Sequence, residues 1–446
     1  MQTQKDQVHA YQFLMQRMTT ALTVGDPSMM EPPTRRGRSG LLTGAIIALL
    51  IVIGFGVYGL IVPGGNTVWR QKGAILVEKE SGTRYVYVNN VLMATPNLAS
   101  AMLIQGPGNR VTTISRESLE GLPRGPQMGI FGAPDTVPRP QELVPPSWLL
   151  CPTVPVGGGK PGVLADFDPG QKSERMADER YAVVQSADGK LYVIWKDTKY
   201  RVPDVNSLVV FGLAATRAPR VPDVWLNIIK DGPELKAAII PGAGRAGQTV
   251  AGSPRRIGDL FTHDPGNGTE QRYVLADKGL TPLSTTEYAL LKAQTAQAPV
   301  AIDAQQILTA PLSSDQSMLT RLPDVVGKKP LDEEIGDPCL KQEGRGADVI
   351  SYMVTVKGAH KWIAGVWMPS NRGILVAELP IPNGQKEPNR YLITERGKRY
   401  LIPDNNSIQA LGLGGVQTVP MRTEVLSTIP AGPVLTRNAV VVEKGG

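Results

Sequence analysis

The sequence predicts a single-pass membrane protein whose remaining chain is an α+β, β-rich region of four repeats around a central core. Three observations predict this fold class. One long apolar segment carries no charge, glycine and proline are abundant at 48 and 38 of 446 residues, and the chain beyond the segment resembles itself. So much glycine and proline indicates many turns between short elements, as in β-rich proteins.

The apolar segment comprises residues 41–62 and contains no charged side chain. At 1.5 Å per helical residue it is long enough for a hydrocarbon core about 30 Å thick. A buried core helix is the alternative, which the length and the absence of charge disfavour. A cleaved signal peptide is disfavoured because the apolar stretch is too long and Pro63, Gly64 and Gly65 follow it in place of a cleavage site. We therefore predict a permanent signal anchor.

Charges beside the span predict its orientation. Arg35, Arg36 and Arg38 lie just before it, whereas Arg70 and Lys72 follow at a greater distance. The positive-inside rule then places the N-terminus in the cytoplasm and the larger part of the chain outside the membrane.

The two cysteines, Cys151 and Cys339, both fall in this outer region. In an oxidising compartment they are natural disulfide partners. A bridge between them would close a loop of nearly 190 residues, for which the chain-entropy model gives about 5 kcal/mol at most. Two buried free thiols are the alternative.

Composition and motifs argue against several functional classes. The net charge is +7, yet no long basic run occurs and aromatic residues make up only 5%, so we predict no nucleic-acid binding. The three histidines, His9, His263 and His360, are scattered, and no serine lies in a G-x-S-x-G elbow. The sequence therefore predicts no catalytic residue, metal site or cofactor.

Residues 5–24 form an amphipathic pattern that ends at Gly25, Asp26 and Pro27. A single helix cannot bury its own apolar stripe, and its near-zero charge favours a protein partner over anionic lipid. We predict that it docks on partner subunits through Val8, Tyr11, Phe13, Leu14, Met15, Arg17, Met18 and Leu22.

Self-similarity at an offset of 200 is the strongest organisational signal. Residues 199–213 (KYRVPDVNSLVVFGL) align without a gap to residues 399–413 (RYLIPDNNSIQALGL). A Leu-x-x-(Leu/Ile)-x-x-Gly-Pro signature recurs at 119–126, 226–233 and 426–433, with a degenerate copy at 304–311. For the third repeat, which rests on the degenerate copy, coincidence remains the alternative. The repeat signature comprises Tyr200, Pro203, Asp204, Gly232, Pro233, Tyr400, Pro403, Asp404, Gly432 and Pro433.

These signals predict the domain organisation. Two segments interrupt the repeats, and each contains one cysteine, so a disulfide would bring them together as a central core. The expected parts are a cytoplasmic helix and linker (1–34), the anchor (35–65), repeats at 73–130, 181–242, 250–312 and 371–436, core segments at 131–180 and 313–370, and a tail (437–446).

A glycine-rich segment, 242–249, matches G-x-G-x-x-G and nearly matches a P-loop. The candidate nucleotide-binding residues are Gly242, Gly244, Gly247 and Thr249. Gln248 stands where a P-loop needs lysine, and Gly252 and Pro254 break the helix that a dinucleotide fingerprint needs. The apolar residues 237–240 before it look like a strand. An exposed turn between repeats is the preferred interpretation.

The chain resembles the EccB family, core components of the actinobacterial type VII (ESX) secretion system. The resemblance covers essentially the whole chain and is carried by residues 7–14 (QVHAYQFL) with Arg17, the span, residues 200–204, residues 400–404, and the two cysteines. It implies an elongated, propeller-like arrangement of four repeats around a core with a disulfide. The implied partners in the bacterial cytoplasmic membrane are an EccC-like ATPase, EccD-like and EccE-like subunits, a mycosin protease and other EccB copies.

The function expected from this resemblance is that of a structural subunit of the secretion complex. Some relatives carry an ATPase label, so an extracytoplasmic nucleotide hydrolase that uses the glycine-rich segment remains an alternative. A cell-wall-binding module built on the repeats is a third possibility.

Overall fold

The computed structural model describes residues 4–25, 34–61, 67–153, 160–213, 218–266, 268–295, 297–332 and 334–442. It contains two compact units. The first comprises Met1–Trp69, Glu78–Ser81 and Thr113–Leu122, and the second comprises Arg70–Val77, Gly82–Thr112 and Pro123–Gly446.

Two long helices make up most of the first unit. Helix α1 spans Gln4–Val24, as the amphipathic pattern predicts, and Gly25 ends it in a left-handed conformation that few other residues adopt. Helix α2 spans Thr34–Ile61. Its stretch Ser39–Tyr58 is long and apolar enough to cross a membrane, and none of that stretch is buried within the protein. This matches the single span expected from the sequence.

A six-stranded sheet, here called the central sheet, forms the middle of the second unit. Its strands lie in the order Gly365–Trp367, Gly162–Asp166, Ser147–Thr153, Asp337–Arg345, Asp348–Val356 and Glu174–Arg175. The strand Ser147–Thr153 is buried along almost its whole length, which is why its sequence is a continuous apolar run and not an alternating one. All six strands come from the two segments that each contain one cysteine.

Four further sheets share one element order, in which three antiparallel strands are followed by a helix and a short added strand or bridge. The strands of the first sheet lie in the order Arg110–Ile114, Ala74–Glu78, Arg84–Val88, Val91–Thr95 and Arg124–Gly125. Those of the second lie in the order Lys230–Asp231, Thr198–Val202, Leu191–Trp195, Arg180–Gln185 and Lys329–Pro330. The third sheet has the order Gly279–Pro282, Gln271–Ala276, Leu260–His263 and Val300–Ala301, and the fourth has the order Arg399–Ile402, Arg390–Thr394, Gly373–Leu379 and Val419–Arg422.

Short helices accompany these sheets. They are Leu98–Gln105 beside the first sheet, Val205–Val210 and Asp223–Ile228 beside the second, Thr285–Gln294 and Ala304–Thr309 beside the third, and Asn405–Ala410 and Thr423–Thr428 beside the fourth. A hairpin (Ala246–Val250 with Ser253–Arg256), a pair of short strands (Met128–Gly129 with Val441–Val442) and a helical turn (Ser317–Thr320) complete the described elements outside the 3₁₀ turns.

Three apolar clusters hold the second unit together. The largest joins the central sheet to the second and fourth sheets, another joins the second sheet to the third, and a third joins the helix Leu98–Gln105 beside the first sheet to the fourth sheet. Trp225, fully buried on Asp223–Ile228, donates its indole N–H to the carbonyl of Leu150 in the central sheet at 2.9 Å. Buried tryptophan contributes both apolar area and an oriented hydrogen bond, so it fixes the second sheet against the centre.

Candidate functional site

Helix α1 exposes every apolar side chain that the sequence assigns to docking. Val8, Tyr11, Phe13, Leu14, Met15, Met18 and Leu22 are each between 50% and 86% exposed. The guanidinium of Arg17 lies 5.8 Å from the centre of the Phe13 ring, a cation–π distance. Exposed apolar area of this extent is typical of a surface that is covered by a partner or by lipid.

The two cysteines form the disulfide predicted from the sequence. Cys151 and Cys339 are joined by an S–S bond of 2.06 Å, with their Cα atoms 4.5 Å apart, and both are fully buried. They lie on neighbouring antiparallel strands of the central sheet, where Leu150 is opposite Leu340. The bond therefore links strands that are 188 positions apart in the chain.

The repeat signature residues serve local packing at equivalent places in the second and fourth sheets. Tyr200 and Tyr400 are buried, and a Cβ atom added to Gly232 or Gly432 would approach the corresponding ring within 2.3 Å. Both glycine amides donate to a strand carbonyl at 2.8 Å, Gly232 to Lys199 and Gly432 to Arg399. Only glycine fits between the ring and the strand. The proline that follows the glycine, Pro233 or Pro433, lies just beyond the end of the short helix.

The two aspartates of the signature begin helices. The carboxylate of Asp204 accepts a hydrogen bond from the amide of Ser207 at 2.8 Å, and Asp404 accepts from Ser407 at 2.7 Å. Aspartate at this position satisfies an otherwise unpaired amide in the first turn. Pro203 and Pro403 precede the caps in the sequence, and each keeps the residue before it extended, where a strand ends. These residues explain the self-similarity by structure alone, without any chemistry.

The glycine-rich segment forms a turn followed by a hairpin. Gly242 and Gly244 have positive φ angles of 78° and 82°, and the strand Ala246–Val250, which contains Gly247 and the exposed Thr249, pairs with Ser253–Arg256. The amide of Gly244 already donates to the carbonyl of Ile257 at 2.8 Å. A dinucleotide fingerprint needs a helix directly after its loop, and a hairpin occupies that place.

Residues 237–240 differ from the strand expected for them. They are irregular, because the amide of Ala238 donates to the carboxylate of Glu287 at 2.9 Å and not to a neighbouring strand. Glu287 is fully buried and is also paired with Arg321 at 2.7 Å. The apolar run 237–240 thus has the composition of a strand, but the carboxylate of Glu287, on a distant helix, accepts the hydrogen bond from the Ala238 amide that a neighbouring strand would accept.

His263 has a structural role. His263 is buried and lies with its Nδ1 2.9 Å from the carbonyl oxygen of Ile302, a structural hydrogen bond between neighbouring parallel strands. Among the described residues, no group of three histidine, cysteine, aspartate or glutamate side chains is arranged to hold a metal ion.

Sequence reasoning missed a cavity of about 640 Å³ at one edge of the central sheet. Asp166 lines it, although that residue is only 3% exposed, and burial raises the pKa of its carboxyl to about 6, the hydrogen bond from the Asp168 amide opposing the shift. Trp362 and Trp367, nearly 200 positions away in the sequence, lie on the cavity wall. No local motif signals such a meeting of distant segments.

The whole chain, residues 1–446, matches the model of the family described as type VII secretion system ESX-1, transport TM domain B. The chain belongs to this family. It is 26% identical over 473 residues to the ESX-3 secretion system ATPase EccB3 of Mycolicibacterium smegmatis, covering 98% of this chain and 90% of that protein. It is 24% identical over 477 residues to the ESX-1 secretion system ATPase EccB1 of Mycobacterium tuberculosis, covering 99% and 95%.

Solved structures share the fold. One, from an intact ESX-5 inner membrane complex, has a TM-score of 0.65 at 23% identity and covers all of this chain and 96% of that chain. Another, from an EccB3 dimer of the ESX-3 core complex, has a TM-score of 0.62 at 21% identity and covers 83% of this chain and all of that chain. The family and the β-rich α+β fold predicted from the sequence are thus confirmed.

Proposed function

We propose that the chain is a structural subunit of a type VII (ESX) protein secretion complex in the bacterial cytoplasmic membrane. The observation that carries this proposal is the family match over residues 1–446. The apolar stretch Ser39–Tyr58 supports it, because a subunit of a membrane complex needs an anchor.

In this proposal the N-terminus lies in the cytoplasm and the second unit lies outside the membrane. Arg35, Arg36 and Arg38 before the span support that orientation. The disulfide between Cys151 and Cys339 supports an oxidising location for the central sheet. The similarity to a chain of the periplasmic assembly from the ESX-5 inner membrane complex supports the same location.

The outer region, we propose, consists of four repeats in a propeller-like arrangement around a central core, and it multimerises. The shared element order of the four sheets supports the repeats, with the boundaries 73–130, 181–242, 250–312 and 371–436. The cysteine-bearing segments 131–180 and 313–370 supply the core. The dimer that the similar EccB3 forms in its solved structure supports contacts between copies.

The proposed partners are an EccC-like ATPase, EccD-like and EccE-like subunits, a mycosin protease and other copies of the chain. Helix α1 docks on the cytoplasmic partners through its exposed apolar residues. Energy for export comes from the partner ATPase and not from this chain. Two features support a non-catalytic role: Gln248 stands where a P-loop has lysine, and a hairpin follows the glycine-rich turn. The relatives have the word ATPase in their names, and we do not transfer that activity to this chain.

Affinity purification tests the proposal. Tagged full-length protein is extracted from membranes in mild detergent, and the co-purifying proteins are identified by native gel and mass spectrometry, with an untagged strain as the control. We expect a large assembly that contains an FtsK-like ATPase and a polytopic subunit. A lone, stable protein would contradict the proposal.

Orientation has its own test. Gln4→Cys on α1 and Gln385→Cys on the second unit each add one exposed thiol to a chain whose native cysteines are buried in a disulfide. A membrane-impermeant maleimide applied to intact cells should label the second variant and not the first. The reverse pattern would overturn the orientation.

A further inference from the structure

The cavity at the edge of the central sheet has features of a binding site. Its volume of about 640 Å³ falls within the range of small-ligand pockets. Two separate parts of the chain line it: residues 164–171, which run from the end of the strand Gly162–Asp166 into the turn that contains Asp168 and Gln171, and residues 361–367. It therefore exists only because the two cysteine-bearing segments meet.

Two carboxylates in the wall have no cationic partner among the residues that the structure describes. In the described part of the chain, neither Asp166 nor Asp168 forms a salt bridge, although the cavity is also lined by the exposed Lys361. Asp166 accepts a hydrogen bond from the backbone amide of Asp168 at 2.8 Å, and Asp168 accepts one from Gly170 at 2.8 Å. An ionised carboxylate that is nearly buried without a cation is destabilised, so the site favours an incoming positive charge.

The rest of the wall is aromatic and apolar, and part of it faces solvent. Ile363 is 86% exposed and Trp367 is 57% exposed, while Trp362 is partly buried. Tryptophan attracts a cation over its ring face more strongly than other side chains do, and guanidinium groups also stack on such rings. Covering the exposed apolar groups beside it with another apolar side chain is favourable, because apolar surface is removed from water.

We propose that this cavity binds an arginine side chain presented by a segment of a partner protein. The carboxylates of Asp166 and Asp168 receive the guanidinium, the tryptophan rings stack on it, and Ile363 contacts an apolar neighbour of the arginine. A neutral sugar could also stack on tryptophan, but it would leave both carboxylates uncompensated, so the charges favour the cation. This inference goes beyond the proposed scaffold role and does not depend on helix α1.

Calorimetry on the full-length protein in detergent tests the proposal with short peptides. The probe is acetyl-Ala-Arg-Leu-amide, and its matched control carries citrulline, which has nearly the shape of arginine without its charge. We expect saturable binding of the arginine peptide and at least about tenfold weaker binding of the citrulline peptide, because hydrogen bonds to charged groups contribute more than neutral ones.

Three variants sharpen the test. Asp166→Asn keeps an acceptor for the Asp168 amide while it removes the charge, and Trp362→Ala removes a ring; each should weaken the arginine peptide about tenfold or more. Asp264→Asn, an exposed aspartate that caps its own turn elsewhere, should leave binding unchanged. Circular dichroism confirms that each variant is folded.

Several results would overturn the proposal. These are equal affinity for the arginine and citrulline peptides, unchanged affinity in a folded Asp166→Asn variant, or no arginine binding at millimolar peptide. Binding of N-acetylglucosamine oligomers in place of the peptide would assign the cavity to carbohydrate. Because the peptide assay requires no other subunit, its failure is distinguishable from failure of the complex to assemble.

Discussion

Gly232 and Gly432 show how single positions specify the fold of the second and fourth sheets. Each lies against a buried tyrosine ring of its own sheet, with no space for a Cβ atom. The tyrosine and the glycine are separated by 32 positions in both copies, which is why the sequence repeats itself without a gap. The matching is steric and would be retained with or without any chemistry nearby.

Gly432→Ala should therefore destabilise the protein by about 1–3 kcal/mol, the usual cost of overpacking a core. The matched control is Gly414→Ala, because the nearest neighbour there is the flexible side chain of Gln409 at 3.2 Å. Thermal unfolding followed by tryptophan fluorescence measures both. A midpoint for Gly432→Ala equal to that of the control would refute the steric explanation.

Asp166 predicts a pH dependence of stability. Burial raises the pKa of this carboxyl to about 6 from an ordinary value of 3.8. The folded state therefore binds its proton more tightly than the unfolded state, and stability falls as pH rises from about 4 to about 6. Asp168 and Lys361 also line the cavity. The negative charge of Asp168 adds to the rise in the pKa of Asp166.

The Asp166→Asn variant, which lacks this titration, should be more stable than the wild type above pH 7. The advantage should shrink as the pH falls from about 6 to about 4 and disappear near about pH 3, below both pKa values, where the wild-type carboxyl is protonated in both states. Thermal midpoints across this pH range measure it. A constant difference between the two proteins at all pH values would show that the carboxyl is not buried as described.

At the scale of elements, the disulfide is the covalent link between the strands Ser147–Thr153 and Asp337–Arg345. These strands are adjacent in the sheet but separated by 188 positions in the chain, so the bond restricts the unfolded chain over a long loop. The second and third sheets lie within that loop in sequence.

Replacing both cysteines by serine should lower the free energy of unfolding by about 2–5 kcal/mol. Urea unfolding of the full-length chain measures the loss. Wild-type protein should also migrate differently on denaturing gels with and without reductant, whereas the double variant should not. Identical mobility of the wild type under both conditions would exclude the disulfide.

Helix α1 and the cysteine pair could be predicted from the sequence because each depends on local pattern or on simple counting. The amphipathic spacing over 5–24 corresponds to Gln4–Val24, and two cysteines in one compartment have only one pairing within the chain. Residues 237–240 could not be predicted, because their hydrogen bond goes to Glu287, about fifty positions away. Local pattern contains no information about that partner.

At the scale of the whole molecule, the family and the β-rich fold were predictable because the resemblance extends along the entire chain. The cavity was not predictable, since Asp166 and Trp367 are neighbours only through the pairing of the strands Gly162–Asp166 and Gly365–Trp367. Sites assembled from paired strands of distant segments require the register of the sheet, and the sequence alone does not supply it.

We propose that the chain is held in its complex, as a structural subunit, through helix α1. Native-gel size of the assembly in mild detergent tests it most directly, with the wild type compared to Tyr11→Asp/Phe13→Asp and to Gln12→Asp/Gln16→Asp. The first double variant places two negative charges on exposed apolar residues, and the control places the same two charges on exposed polar positions of the same helix. We predict a large assembly for the wild type and the control, and its loss in the first double variant. An assembly of unchanged size in the first double variant would contradict the account.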